Sequence, residues 1–167
     1  MKPEIQDENM ALTFTALSVA AAQNDMYAKK ARKEGKQQLA NLLNAIAGSE
    51  RIEARRALVY LRGKIGTGND FLSRLMGRKK NDFETRFPEL EKLYAEKSRG
   101  HEPETFSRYA RVAENHHELL SDLYKQDPDT RHVYYVCQVC GYIATDDIPG
   151  NCPICNAVDK KFKTSED

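Results

Sequence analysis

The four cysteines of the chain all lie between Cys137 and Cys155. Cys137-Gln-Val-Cys140 and Cys152-Pro-Ile-Cys155 are two C-x-x-C turns separated by 11 residues. Each turn brings two sulfurs to one side of the backbone, so the two together can supply four thiolates to one tetrahedral ion. A tetrahedral S₄ set suits zinc or a single iron. Gly141 directly follows the first turn, where a positive φ would let backbone amides point at sulfur. Two disulfides or four free thiols are the alternatives. Tight clustering in a chain expected to be cytosolic favours metal.

A second set of candidates lies on helical stripes. Leu39, Leu43, Ile46, Ala57 and Leu61 recur at steps of three, four or their multiples. Continued through the gap, the same stripe meets Glu50 and Glu53, which predicts two inward carboxylates one turn apart. Phe106, Ala110, Ala113, Leu120 and Tyr124 form another stripe, which passes through His117 with Glu114 three residues before it. Glutamates from some helices and Glu-x-x-His pairs from others are how ferritin-like bundles hold two irons or manganeses. Crowding Glu50, Glu53 and Glu114 in a dry core would raise their pKa values and favour a bound cation. The plainer alternative makes Glu50, Arg51, Glu53, Arg55 and Arg56 a solvated face, with local ion pairs worth roughly 0.2–0.5 kcal/mol each. On that reading His117 is a hydrogen-bonded core residue. His116 reads as a surface residue or one that supports a ligand from behind, and His101 and His132 as loop residues.

The elements that must position these groups are mostly helices. Residues 10–126 read as helical. A first helix ends near Gly35, with Lys29, Lys30, Arg32 and Lys33 in its last turns. A second runs from about Lys36 to Arg62. Gly63, Gly66 and Gly68 then interrupt, and "NDFLSRLMGRKK" predicts a short helix inside a longer connection. A third helix covers about Asn81 to Arg99, with Pro88 as an expected kink and Gly100 at its end. A fourth covers about Glu104 to Lys125, with Pro103 in its first turn and Asp127-Pro-Asp129 closing it. Two tightly joined pairs linked by a long crossover wire a four-helix bundle, the ferritin-like arrangement among them. After Arg131 the chain turns to β-branched and aromatic residues, Pro and Gly. That segment is too short to fold on apolar burial alone and needs a staple. The expected domains are therefore 1–130, an all-α bundle, and 131–167, a small β/loop metal-binding unit.

Bulk properties narrow the function classes. Hydrophobic residues at 40% and charged residues at 31% describe a soluble globular chain. A net charge of +1 gives no general attraction to nucleic acid or anionic membrane. No apolar run approaches the roughly 20 residues a membrane helix needs. "MKPEIQDENM" has no apolar secretory core, so a cytoplasmic location is the expectation.

The stretch "YYVCQVCGYIATDDIPGNCPICNAVDKKF" resembles a rubredoxin domain, with an aromatic before the first turn, Cys-Gly-Tyr, Pro after the third cysteine and Phe162 near its end. Together with "YAKKARKEG", "FPELEKL" and "VAENHHE", it makes nearly the whole chain resemble rubrerythrin. The resemblance implies a ferritin-like four-helix bundle followed by a rubredoxin-like domain. It implies iron at Cys137, Cys140, Cys152 and Cys155, one-electron transfer, and a di-iron site that reduces hydrogen peroxide. It also implies a homodimer and a redox partner protein.

The resemblance places the bundle ligands residue by residue. The first-helix glutamate falls on Leu17, with Gln23 and Asp25 as the nearby polar groups. The second-helix Glu-x-x-His reads Glu50-Arg-Ile-Glu53. Two third-helix glutamates fall on Asp82 and Thr85. The fourth helix keeps Glu114 and His117. The site expected from the resemblance is therefore divergent, with Glu50, Glu53, Asp82, Glu114 and His117 as its remaining donors. Three outcomes follow for the bundle. One is a mononuclear or altered dinuclear site holding Fe, Mn or Zn. Another is a metal-free bundle with its acids paired. The third is a site that recruits Asp82 and a shifted first-helix residue such as Asp25. The functional alternatives are a rubrerythrin-type peroxidase, an electron-transfer protein whose bundle is a dimerisation scaffold, and a zinc ribbon on a helical support.

Overall fold

A computed structural model of the chain describes residues 3–62, 68–97, 102–125 and 131–164. Two compact units divide it, Met1–Gly66 and Thr67–Asp167. The strand-forming segment after Arg131 falls within the second unit.

The first unit is a helical hairpin of α1 (Pro3–Lys33) and α2 (Gln37–Arg62). Gly35 stops α1 as expected. It adopts φ 75°, its amide donates to Arg32 O at 3.1 Å, and the Lys36 amide donates to Ala31 O at 2.9 Å. This is a Schellman turn, which satisfies two carbonyls the helix end would otherwise leave open. The hairpin closes on alanines. Ala21, Ala28 and Ala31 of α1 and Ala40, Ala47, Ala54 and Ala57 of α2 are all buried.

This seam corrects the α2 stripe expected from sequence. It steps through 40, 43, 47, 50, 54, 57 and 61, sharing only Leu43, Glu50, Ala57 and Leu61 with the expectation. Leu39 and Ile46 are 45% and 39% exposed, and Glu53 is exposed. Methyl side chains at the seam let two backbones approach closely, where larger ones would hold them apart. Counting by hydrophobicity favours Leu and Ile over the alanines that fit.

In the second unit, α3 (Gly68–Asn81) runs without a break into a π-helical turn (Asp82–Arg86) and then α4 (Phe87–Lys97). The expected connection with a short helix is thus part of one long helix. Pro88 explains the π turn. It has no N–H to donate to the carbonyl four residues back, and its ring crowds that carbonyl. Widening the helix to an i→i+5 bond accommodates both constraints, and the Phe87 amide accordingly donates to Asp82 O.

Helix α5 (Glu102–Lys125) packs on α3, the π turn and α4. Aromatic pairs line its contact with α4: Tyr94–Phe106 at 4.9 Å and Phe87–Tyr109 at 5.7 Å between ring centroids. Pro103 lies in the first turn of α5, as expected. The expected breaks at Gly63, Gly66, Gly100 and 127–129, and His101, lie outside the described residues.

The C-terminal segment forms a three-stranded antiparallel sheet in the order β2-β1-β3, from β1 (Tyr134–Cys137), β2 (Ile143–Thr145) and β3 (Phe162–Thr164). Its core is Cys137, Ala144, Cys152 and Phe162, with Tyr142 edge-on to Phe162.

Gly35 makes this architecture testable. A methyl group there meets nothing within 4 Å, so any cost is conformational. Gly35→Ala should lower stability by about 1 kcal/mol through the left-handed backbone alone. Denaturant unfolding followed by circular dichroism would show the midpoint fall with an unchanged slope.

Candidate metal centre

The two cysteine turns are built alike. The Cys137 amide donates to Tyr142 O at 2.9 Å, and the Gly141 amide returns to Cys137 O at 2.9 Å. In the second turn the Cys152 amide donates to Ala157 O at 2.7 Å, and the Asn156 amide returns to Cys152 O at 2.9 Å. The residue after each second cysteine is left-handed, Gly141 at φ 88° and Asn156 at φ 59°. Gly141 was expected in this role. Asn156 was not, although asparagine tolerates this region better than most side chains. Its amide oxygen accepts from Asn151 Nδ2 at 3.0 Å, which holds the second turn in place.

The turns bring all four sulfurs within 4.8 Å of one another. Cys137 Sγ and Cys155 Sγ are 3.7 Å apart, and Cys140 Sγ and Cys152 Sγ are 3.6 Å apart. A tetrahedron with metal–sulfur bonds of about 2.3 Å has edges of about 3.8 Å. No disulfide joins the cysteines. The separations are far beyond the roughly 2.05 Å of an S–S bond. The donor set therefore fits one tetrahedral thiolate-bound ion.

The surroundings favour thiolates selectively. At Cys137, burial raises the thiol pKa, but the amides of Cys140 and Val139 outweigh it and bring it to about 7. Burial pushes the Cys140 and Cys155 thiols up, against the amides of Tyr142 and Ala157. Amides aimed at sulfur stabilise charge there, and a bound cation would then remove the remaining protons.

Helix α5 presents Arg111, Asn115 and His116 to this domain. His116, expected at the surface or behind a ligand, is half-buried against Gly141. Burial lowers its pKa, against the Gly141 carbonyl contact, with Lys79 adding to the lowering. The missed signal is a second apolar stripe on α5 through Val112, His116, Leu119 and Leu123. His132 is also engaged, with Nδ1 2.8 Å from Asp146 Oδ2.

Among the described residues, the cysteines are the one group of three or more His, Cys, Asp or Glu whose donor atoms converge. The helical candidates are placed as follows. Glu50 is half-buried and accepts from Asn24 Nδ2 at 2.9 Å. Glu53 and Glu114 are exposed. Asp82 is the one buried charged side chain among the described residues, 7% exposed, and accepts weakly from Arg86 Nη1 at 3.4 Å. His117 is half-buried beside Phe83, with Nδ1 3.1 Å from Met76 O. A carbonyl only accepts, so Nδ1 is the donor, and in the neutral ring that tautomer leaves Nε2 as the acceptor nitrogen. Leu17 and Thr85 offer no ligand, and Asp25 is paired with Arg51.

Residues 135–163 match the rubredoxin-like domain of rubrerythrin. Over 95% of its length the chain shares its fold with nigerythrin. The partially reduced form aligns at a TM-score of 0.58 and 20% identity, over 95% of this chain and 85% of that one. The mixed-valent form aligns at 0.57 and the fully reduced, all-ferrous form at 0.56, with the same identity and coverage. No curated protein matches the sequence.

Metal binding should release protons, fewer at pH 8 than at pH 6, because free thiols are already partly ionised at the higher pH. Calorimetric titration with zinc in buffers of different ionisation enthalpy would count them. Removing the ion should also collapse residues 131–164, seen as lost amide dispersion in ¹H–¹⁵N spectra while helical signals persist.

Proposed function

We propose that this chain is an iron-binding electron-transfer protein of the rubrerythrin type. The observation that carries the reading is the convergence of four unpaired cysteine sulfurs, within 4.8 Å, inside a segment matching a rubredoxin-like domain. Iron held by four thiolates takes up and gives back one electron. The protein's own part is to fix the sulfurs, aim amides at them and exclude water. Cys137 and Cys152 are buried, whereas Cys140 and Cys155 lie nearer the surface. The exposed edge is where a redox partner protein would approach. Zinc in the same sulfurs would instead give a structural ribbon.

The finer reading adds peroxide reduction at a second metal site in the helices, holding Fe, Mn or Zn. It is supported by the buried Asp82 on a π turn and by His117, whose Met76 contact leaves Nε2 available. Ligating histidines typically hold their other nitrogen in this way. The reading also includes a homodimer acting in the cytoplasm. Exposed apolar side chains on α1 and α2, among them Leu12, Val19 and Tyr60, support a second copy as partner. No helix among the described residues is long and apolar enough to cross a membrane.

Anaerobically purified native protein should contain iron and show an iron–thiolate absorption that bleaches with reductant. A colourless protein carrying one zinc and no iron would overturn the proposal. Reductant-dependent peroxide loss should fall at least tenfold in Asp82→Asn and in His117→Ala, with the bleachable band intact. Peroxide loss unaffected by both variants would remove the helical site from the reaction.

A further inference from the structure

The cysteine domain is held against α5 by polar side chains of that helix. Arg111 Nη2 donates to Pro153 O at 2.7 Å, and its Nη1 lies 3.5 Å from Ile154 O. Both carbonyls belong to the turn between Cys152 and Cys155. Asn115 Nδ2 donates to Ile143 O at 3.3 Å, and the Ile143 amide donates to Asn115 Oδ1 at 3.0 Å. His116 Nε2 lies 3.1 Å from Gly141 O, so this nitrogen must be the donor. Three side chains within six residues of one helix thus reach the backbone of both cysteine turns and of β2.

Each contact answers a local requirement. Strand β2 is an edge of the sheet, and Ile143 pairs with Val136 in a register that leaves its N–H and C=O facing outward. An edge in that state is a template for unwanted pairing. The Asn115 carboxamide supplies one acceptor and one donor, as a neighbouring strand would. Gly141 has no side chain, and a Cβ there would already touch Val112 Cγ1 at 3.8 Å. A larger residue would push α5 away and break the His116 contact.

We propose that Arg111, Asn115 and His116 are positioning residues that latch the cysteine domain onto α5, and that the Arg111 charge raises the reduction potential of the bound iron. The second part rests on the electron-transfer reading above. The thiolate site becomes more negative by one charge on reduction. A guanidinium bonded to the carbonyls of its own turn therefore stabilises the reduced form. Arg111 is exposed, so solvent screens the effect.

The latch is tested in the zinc-loaded full chain by ¹⁵N relaxation. In the wild type, amides 131–164 should tumble with those of α5. In Asn115→Ala and in an Asn115→Ala/His116→Ala double variant, they should gain independent motion. Unchanged relaxation in both, with one zinc still bound, would overturn the latch. The charge is tested in the iron-loaded chain. Arg111→Gln should lower the ratio of reduced to oxidised iron at fixed potential about threefold, or about 30 mV at 59 mV per decade. Arg111→Lys should restore most of it. Equal potentials in Gln and wild-type proteins would overturn the role of the charge. A chain that refuses iron would sink the electron-transfer reading, and the zinc experiment would still decide the latch.

Discussion

The C-terminal domain cannot bury enough apolar surface to hold itself together, and much of the structure answers to that shortage. Two of the four residues at the centre of its core, Cys137 and Cys152, are also metal donors. The ion and the core are therefore one object. The sheet is short, its strands three or four residues long, and strands this brief are marginal without a staple. The same shortage explains the backbone bonds inside each cysteine turn. They hold the sulfurs at tetrahedral spacing in the folded domain, and they share with the ion the work of ordering the loop.

How much of this was legible in the sequence differed by element. The cysteine spacing specified the centre almost completely, because two C-x-x-C turns constrain four atoms with little help from the rest of the chain. Gly35 and Gly141 announced their left-handed backbones for the same reason: only local geometry was involved. The α1–α2 seam was less readable. Hydrophobic periodicity picks out large side chains, while this seam is set by how closely two helices can approach, which selects alanine. The expectation therefore slid by one residue at Leu39, Ile46 and Glu53. The contact of His116 is harder to read, because the stripe through Phe106 and His117 accounts for one face of α5, and a helix that packs on two sides carries two.

The π turn shows how the chain meets the constraint that Pro88 imposes. The helix expected to pass through Pro88 does so, and the mismatch is absorbed in a wider turn over Asp82–Arg86. Asp82, the first residue of that turn, is buried, and among the described residues its carboxylate has a long contact to Arg86. A loss of ladder geometry and a buried acid thus occur at the same place, as π turns often do where function is carried.

Consecutive residues on α5 serve opposite neighbours. His116 reaches Gly141 beside the cysteine turns, and His117 reaches Met76 on α3. Neighbouring side chains on an α-helix diverge by about 100°, so both contacts depend on one angular setting of the helix about its axis. The helix behaves as a common axle. A small rotation that slackens one contact must disturb the other, and a substitution that alters the roll of α5 will register at both ends of the pair without touching either histidine.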